Sequence, residues 1–314
     1  MAARVRKARE PATKPRYNCP TIPLTERPSD AHPWCMARFQ HTVTLAPVPR
    51  QWFESCVVML HDLTESIEVD GTRLRLPDGR PVPELFLIAG RHLRRGARYH
   101  PESEKTGEPD LDHTLTVLAW DRRRETALEV VSLVDDPDHP VQMACTLRLT
   151  SAERPRQVRL SVTFRAGGGR WGKYTSGSGG LQLDLDRWWP STAGLGRSTA
   201  TPLTGTLHHI LSRTTVTVVP RPAGDGRWRV TVKARVRGRS FARVLLPVAM
   251  AFAGSRARKA FCDVLDDAAE HWNAQVAGLV DKDMEQLRLE LVGSLFEPHG
   301  KREEEGSGPK RGSR

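Results

Sequence analysis

The sequence lacks the features that mark most membrane, secreted and metal-binding proteins. Its longest apolar run, Val244 to Ala253, is too short to cross about 30 Å of hydrocarbon. The basic N-terminal residues contain no apolar stretch of the kind that an export signal needs. The five cysteines are an odd number and form no CxxC pair, which disfavours a disulfide framework and a zinc or redox site. These absences predict a cytoplasmic protein with reduced thiols, no metal and no cofactor.

Familiar catalytic motifs are also missing. The sequence contains no HExxH, no GxSxG nucleophile elbow and no Rossmann GxGxxG followed by a helix. The stretch from Gly167 to Lys173 has the spacing of a phosphate-binding loop, but Tyr174 stands where that loop needs a Ser or Thr for magnesium. We interpret the stretch as a surface loop. Whether the protein is an enzyme stays open at this point.

Charge and proline content divide the 314-residue chain into a core and two ends. Residues 1–33 combine prolines with basic residues, and residues 297–314 are charged with little apolar content, so both ends are predicted to be disordered. The formal net charge is +11, and the basic residues between the two ends are scattered along the sequence. This favours a diffuse basic surface, while a nucleic-acid or protein interaction module remains an alternative.

Residues 34–296 are predicted to form one α+β domain. A helix begins near Pro49, with Trp52, Phe53 and Cys56 on its apolar face. Because no long helix interrupts the later strands, the sheet should be antiparallel. From Phe241 to Val280 the apolar positions return at helical spacing, which predicts one long closing helix that Pro247 and Gly254 bend or break. The predicted strands are Phe39–Leu45, Thr72–Leu76, Glu84–Ala89, Thr114–Trp120, Thr126–Val134, Val141–Leu149, Val158–Phe164, Leu207–Val219 and Trp228–Val236.

A few residues could carry function, and each has a structural alternative. Trp188 and Trp189, beside a proline, either cap the core or line the mouth of a ligand site. His208 and the histidine after it fall on opposite faces of their strand, so only one of them can point inward. Asp184 and Asp186 alternate with leucines; on a strand they would share one face, either solvated or available for acid–base chemistry.

Two segments resemble the START-like superfamily, the helix-grip fold of polyketide cyclases, dehydratases and lipid-transfer proteins. The segment WRVTVKARVRG followed by SFARVLLPVAMAFAGSRARKAFCDVLDDAAEHWNAQV is similar to the closing strand and helix of that family. The opening FQHTVTLAPVPRQWFESCV is similar to its first strand, proline-marked turn and first helix. The resemblance covers roughly Phe39–Val280, with extra material around Gly90–Leu111 and Gly167–Pro202.

The resemblance implies a curved antiparallel sheet that grips the long helix and encloses a cavity for a hydrophobic or aromatic small molecule, lipid-like or polyketide-like. It places Phe241, Val244, Leu245 and Val248 of the helix at that cavity. The alternative is a cyclase-like or dehydratase-like enzyme, which would need polar groups such as Asp184, His208 or His209, Arg213 or a tryptophan N–H in the same place. The full set of predicted ligand-binding residues is Trp188, Trp189, His208, Arg213, Phe241, Val244, Leu245 and Val248.

Overall fold

The computed structural model describes residues 36–101, 112–134, 141–166, 176–195, 201–239 and 242–294, without the side chains of residues 84, 134 and 242–252. The predictions for residues 1–33, for residues 297–314 and for Gly167–Lys173 lie outside these ranges.

Four helices and thirteen strands make up the described chain. The helices are α1 (Arg50–Glu65), α2 (Leu185–Thr192), α3 (Ala242–Val280) and α4 (Met284–Ser294). The strands are β1 (Met36–Leu45), β2 (Glu68–Asp70), β3 (Arg73–Arg75), β4 (Pro81–Ala89), β5 (Arg98–Pro101), β6 (His113–Asp121), β7 (Glu125–Val134), β8 (Val141–Thr150), β9 (Gln157–Ala166), β10 (Gly177–Asp184), β11 (Leu203–His209), β12 (Ser212–Pro222) and β13 (Trp228–Gly238).

The strands form one antiparallel sheet in which β2 to β13 follow each other in sequence order. β13 returns to lie beside β1, so β1 and β2 are the two edges and α1 connects them. The long helix α3 packs on β1 and β13. The predicted fold class, an α+β fold with an antiparallel sheet and a long C-terminal helix, is confirmed.

Some boundaries differ from the sequence prediction. The predicted strand Leu207–Val219 is two strands, β11 and β12, separated by a tight turn. The prediction that Asp184 and Asp186 share a strand face is wrong, because β10 ends at Asp184 and α2 begins at the next residue. Asp184 caps that helix by accepting a hydrogen bond from the backbone N–H of Arg187 at 3.1 Å. Pro247 and Gly254 were predicted to bend or break the long helix. Helix α3 is continuous through both, so the break does not occur, and the bend stays a prediction.

The pairing register defines two chemically different faces. Residues directly opposite each other on antiparallel strands point to the same side of the sheet. The ring of Phe39 lies 5.7 Å from that of Phe261 in α3, so its side is called the helix-side face and the other the back face. On β1 and β7–β13 the helix-side positions contain no Asp, Glu, Lys or Arg. One helix-side row crosses nine strands through Phe39, Ala234, Val216, Gly205, Leu181, Leu160, Leu147, Leu128 and Val117.

The main core lies between the helices and the β1 end of the sheet. Its buried members are Val43, Val48, Trp188, Trp228, Val230, Val232, Ala269 and Val276. A second cluster, built around Leu74, Leu87, Tyr99 and Val117, lies towards the other edge. Burial of the apolar helix-side residues therefore stabilises the two ends of the sheet separately.

Polar side chains of α3 attach the helix to the end of the edge strand β1. The side-chain Oδ1 of Asn273 accepts a hydrogen bond from the backbone N–H of Ala46 at 2.6 Å, and its Nδ2 donates to the carbonyl of Thr44 at 2.9 Å. The indole N–H of Trp272 donates to the carbonyl of Ala46 at 3.0 Å. These bonds satisfy backbone groups where the strand ladder stops.

Candidate apolar binding site

The helix-side face carries a group of exposed apolar side chains in the middle of the sheet. Five large ones on β7, β8, β10 and β11 are each 40–46% exposed: Val130, Met143, Leu147, Leu181 and Leu207. Half-buried apolar residues of the same face lie between them: Cys145, Leu160, Val162 and Phe164. We call these nine residues the open apolar face. It belongs to the side of the sheet that is buried elsewhere under helices.

The position of the helices explains why this part of the face is exposed. α3 packs on β1 and β13, and α2 packs on β9, β10 and β12. The row of helix-side residues next to the open apolar face is less exposed, and its members Leu183 and Leu203 pack against the main core. Exposure is therefore lower in this row than at Leu147, Leu181 and Leu207 of the open apolar face.

The open apolar face is large enough to matter for binding. It spans four inter-strand spacings of about 4.8 Å, or about 19 Å, from β7 to β11, and four residues or about 13 Å along β8. Single exposed apolar residues are common on protein surfaces, whereas contiguous patches of a few hundred Å² mark interaction sites. The absence of charged residues from this face means that an apolar molecule could lie on it without desolvating any ion.

Glycines on β10 and β11 let neighbouring side chains lie flat on the sheet. A Cβ added at Gly177 would lie 2.5 Å from Cζ of Phe164, and one at Gly205 would lie 2.6 Å from Cδ2 of Leu181. The Phe164 ring and the Leu181 side chain thus occupy the space that side chains at these positions would fill. Sequence reasoning missed β10, because Gly167–Pro202 was treated as additional material with no predicted strand.

The C-terminal end of α1 is fixed to β6 and β7 by a polar cluster. His61 is buried, its Nε2 lies 3.1 Å from the hydroxyl of Thr126, and its ring stacks 4.5 Å from that of Trp120. Glu65 accepts hydrogen bonds from the indole N–H of Trp120 and from Nε of Arg122, each at 2.9 Å. Burial lowers the pKa of His61, and the hydrogen bond from Arg122 lowers the pKa of Glu65. The cluster holds neutral His61 and ionised Glu65 in place.

The two predicted tryptophans lie in the packed core. The rings of Trp188 and Trp189 are 5.8 Å and 5.9 Å from that of Trp228, and Trp189 is 6.0 Å from Phe53. The indole N–H groups of Trp189 and Trp52 are buried without a hydrogen-bond acceptor among the described residues. The core alternative for this pair is the one that the geometry supports, at the border of the open apolar face.

The predicted polar residues are divided between the two faces of the sheet. His208 and Arg213 are directly opposite each other on β11 and β12, on the back face. They therefore share no surface with Trp188 and Trp189. His209 is on the helix-side face, where its Nδ1 accepts a hydrogen bond from the backbone N–H of Leu211 at 3.3 Å.

The remaining predicted residues belong to the start of the long helix. Phe241 lies outside the described residues, and the side chains of Val244, Leu245 and Val248 are not described, although α3 includes these positions. The described part of α3 packs on β1 and β13 through a filled core that includes Phe261 and Leu265. The contribution of the helix start to a ligand site therefore stays a prediction.

Other features of the described chain point to no catalytic centre. A cavity of about 400 Å³ lies beside the ion pair of Glu125 and Arg148 on the back face, whose side chains are 3.2 Å apart. Within the ranges given above, no three His, Cys, Asp or Glu side chains are grouped to hold a metal ion. None of the helices in those ranges is long and apolar enough to cross a membrane. Cys56, Cys145 and Cys262 form no disulfide.

Comparison with known proteins identifies no family. No family model matches the sequence, and the search of curated proteins returned no significant match. Among solved structures, the crystal structure of Ara h 8.0201 aligns with 70% of this chain and 91% of its own at 11% sequence identity, with a TM-score of 0.20. An identity and a TM-score this low transfer neither a fold nor a ligand.

Proposed function

We propose that the protein binds an uncharged hydrophobic small molecule, lipid-like or polyketide-like, on the open apolar face. The observation that carries the proposal is the exposure of five large apolar side chains on a face from which charged residues are excluded. Covering such side chains with a ligand is favourable because about 25 cal/mol is gained for each Å² of apolar surface removed from water.

The surroundings of the face support a ligand of limited size. On one side it adjoins Leu183 and Leu203, which pack against the main core, and α2 packs on β9, β10 and β12. The flat floor provided by Phe164 and Leu181 suits an extended chain or a fused ring system. The resemblance of the sequence to the START-like superfamily agrees with this ligand class. A cytoplasmic location with reduced thiols is part of the same proposal.

The enzymatic alternative receives no support from the polar positions. A cyclase-like or dehydratase-like reaction needs acid–base groups beside the bound molecule. Asp184 caps α2, and His208 and Arg213 lie on the back face, away from the apolar side chains. His209 is on the helix-side face, where its Nδ1 already accepts a hydrogen bond from the backbone N–H of Leu211. Binding without chemical conversion is the function that this arrangement favours.

Two measurements test the proposal on the full chain. Native mass spectrometry, followed by organic extraction of the purified protein, should find a co-purifying apolar molecule at about one per chain. Titration with N-phenyl-1-naphthylamine, an uncharged fluorescent probe, should saturate at a similar ratio, and bound probe should raise the melting temperature by mass action. A chain that carries no apolar molecule and binds no probe, or that buries the face by forming dimers, would contradict the proposal.

A further inference from the structure

The back face concentrates positive charge on the three strands at the β1 edge. Its charged positions on β1, β12 and β13 are all basic and all exposed: Arg38, Arg213, Arg221, Arg229, Lys233, Arg235 and Arg237. We call these seven residues the basic face. The remaining back-face positions of the three strands are mostly threonines, and none is acidic. The strand register thus brings basic residues that are scattered along the sequence together on one face.

The cross-strand pairing of these arginines lowers the stability of the sheet when no anion is bound. Arg38 lies directly opposite Arg235, and Arg237 lies directly opposite Arg213. Arg221 and Arg229 form a third such pair. Like charges opposite each other on adjacent strands, with Cβ atoms about 5 Å apart, destabilise a sheet. A bound polyanion would relieve this repulsion.

The basic face is also separate from the ion pairs among the residues that the structure describes. The arginines that form ion pairs in the described chain are Arg50, Arg75, Arg80, Arg122, Arg123, Arg148 and Arg187. The back-face acids of the sheet centre, Glu125, Glu129 and Asp184, lie on β7 and β10 instead. The side chains of the basic face therefore remain available to an external anion.

We infer that the basic face docks on a membrane surface that contains anionic phospholipids. The face extends eight residues along β13, about 27 Å, and three strands, about 10 Å, across. Six of its seven cations are arginines, whose planar guanidinium groups match phosphate oxygens in two-point hydrogen bonds. Several such side chains near an anionic leaflet together give stable attachment.

The shape and composition of the face favour a lipid surface over nucleic acid. Sequence-tolerant binding of single strands relies on aromatic side chains that stack on bases, and the back-face positions of β1, β12 and β13 contain none. Reading a duplex requires a helix or a two-stranded ribbon that enters the groove, whereas these positions lie on a three-stranded sheet surface. The docking surface shares no residue with the open apolar face, so the two proposals can fail separately.

The test compares two triple variants of the full chain. The variant Arg229→Gln, Arg235→Gln, Arg237→Gln removes one partner from each like-charge pair. The control Arg123→Gln, Arg124→Gln, Arg154→Gln removes the same charge from exposed positions in turns between strands. Binding is measured by co-sedimentation with vesicles of phosphatidylcholine alone, or of phosphatidylcholine mixed with phosphatidylglycerol, and by competition with duplex DNA.

We expect the native chain to bind only the mixed vesicles and to lose binding at about 1 M salt, where charges are screened within about 3 Å. Because each arginine near an anionic surface contributes roughly a fivefold factor, the β13 variant should bind on the order of 100-fold more weakly. Its melting temperature should stay the same or rise. Equal losses in both variants, equal binding to both kinds of vesicle, a lower melting temperature of the β13 variant, or tighter binding to DNA than to the mixed vesicles would overturn the inference.

Discussion

Replacing two leucines of the open apolar face should weaken ligand binding in a predictable way. Leu147 and Leu181 are 43% and 44% exposed and lie in one helix-side row, separated by Leu160 on β9. Full burial of a leucine side chain is worth about 1.5–3 kcal/mol. A ligand that covers the exposed part of each therefore gains about 1 kcal/mol from each leucine. The double variant Leu147→Gln, Leu181→Gln should lose about 2 kcal/mol, or roughly 30-fold in Kd.

The matched control is Leu133→Gln. Leu133 is also 44% exposed, but it lies on the back face of β7, so its substitution should alter folding energy about as much as either single leucine substitution without touching the open apolar face. The assay is titration with N-phenyl-1-naphthylamine, chosen because it is uncharged and will not be drawn to the basic face. The control should change Kd by less than about twofold, well under the effect of one covered leucine. Equal losses in control and double variant, or unchanged binding in both, would refute the assignment of the site.

Three further predictions concern stability. Because burial lowers the pKa of His61 in the folded protein, the unfolded chain takes up the proton first, so stability should be full above about pH 6.5 and fall as the pH decreases below it. His61→Phe should reduce that fall in thermal melts between about pH 7.5 and 5.5. An unchanged fall would contradict the burial effect. Trp228→Ala should lower the free energy of unfolding in guanidinium by about 3–5 kcal/mol, because it removes the ring that contacts both Trp188 and Trp189. A loss below about 1 kcal/mol would show that the cluster is not packed as described. Gly177→Ala should cost about 1–3 kcal/mol of folding free energy, because its Cβ would meet the ring of Phe164. The control Gly224→Ala, whose Cβ would meet no atom within 4 Å, should be nearly neutral in the same assay. Equal effects would show that the close approach of Phe164 is not what makes Gly177 necessary.

The α+β fold class and most elements could be predicted from the sequence because hydrophobic period is a local property. The alternation in the segment that became β13 and the helical spacing up to Val280 are each visible within one window of the chain. Among the missed elements, β2 and β5 have only three and four residues, whereas β10 and α2 lie in a stretch where glycine and proline weaken both signals. There the cross-strand contact between Gly177 and Phe164 and the capping by Asp184 decide the structure.

For the candidate site, the sequence offered a proposed class of ligand but not the position of the open apolar face. Exposure of Leu181 and Leu207 depends on where α2 and α3 lie, and no local pattern distinguishes an apolar residue beneath a helix from one beside it. The pairing of His208 with Arg213 on the back face likewise follows from the β11–β12 register. The sequence alone does not show that His208 and Arg213 lie on the opposite side of the sheet from Trp188 and Trp189.

The sequence by itself determined which residues alternate, where the first helix and the long closing helix form, and that the net charge is strongly positive, because propensity, period and composition are properties of the chain. Only the tertiary structure decided which alternating residues face the same side. Antiparallel register places Arg38 opposite Arg235 and Leu147 in line with Leu181, although each pair is far apart in sequence. That pairing turns scattered charge into one basic face and scattered leucines into one open apolar face.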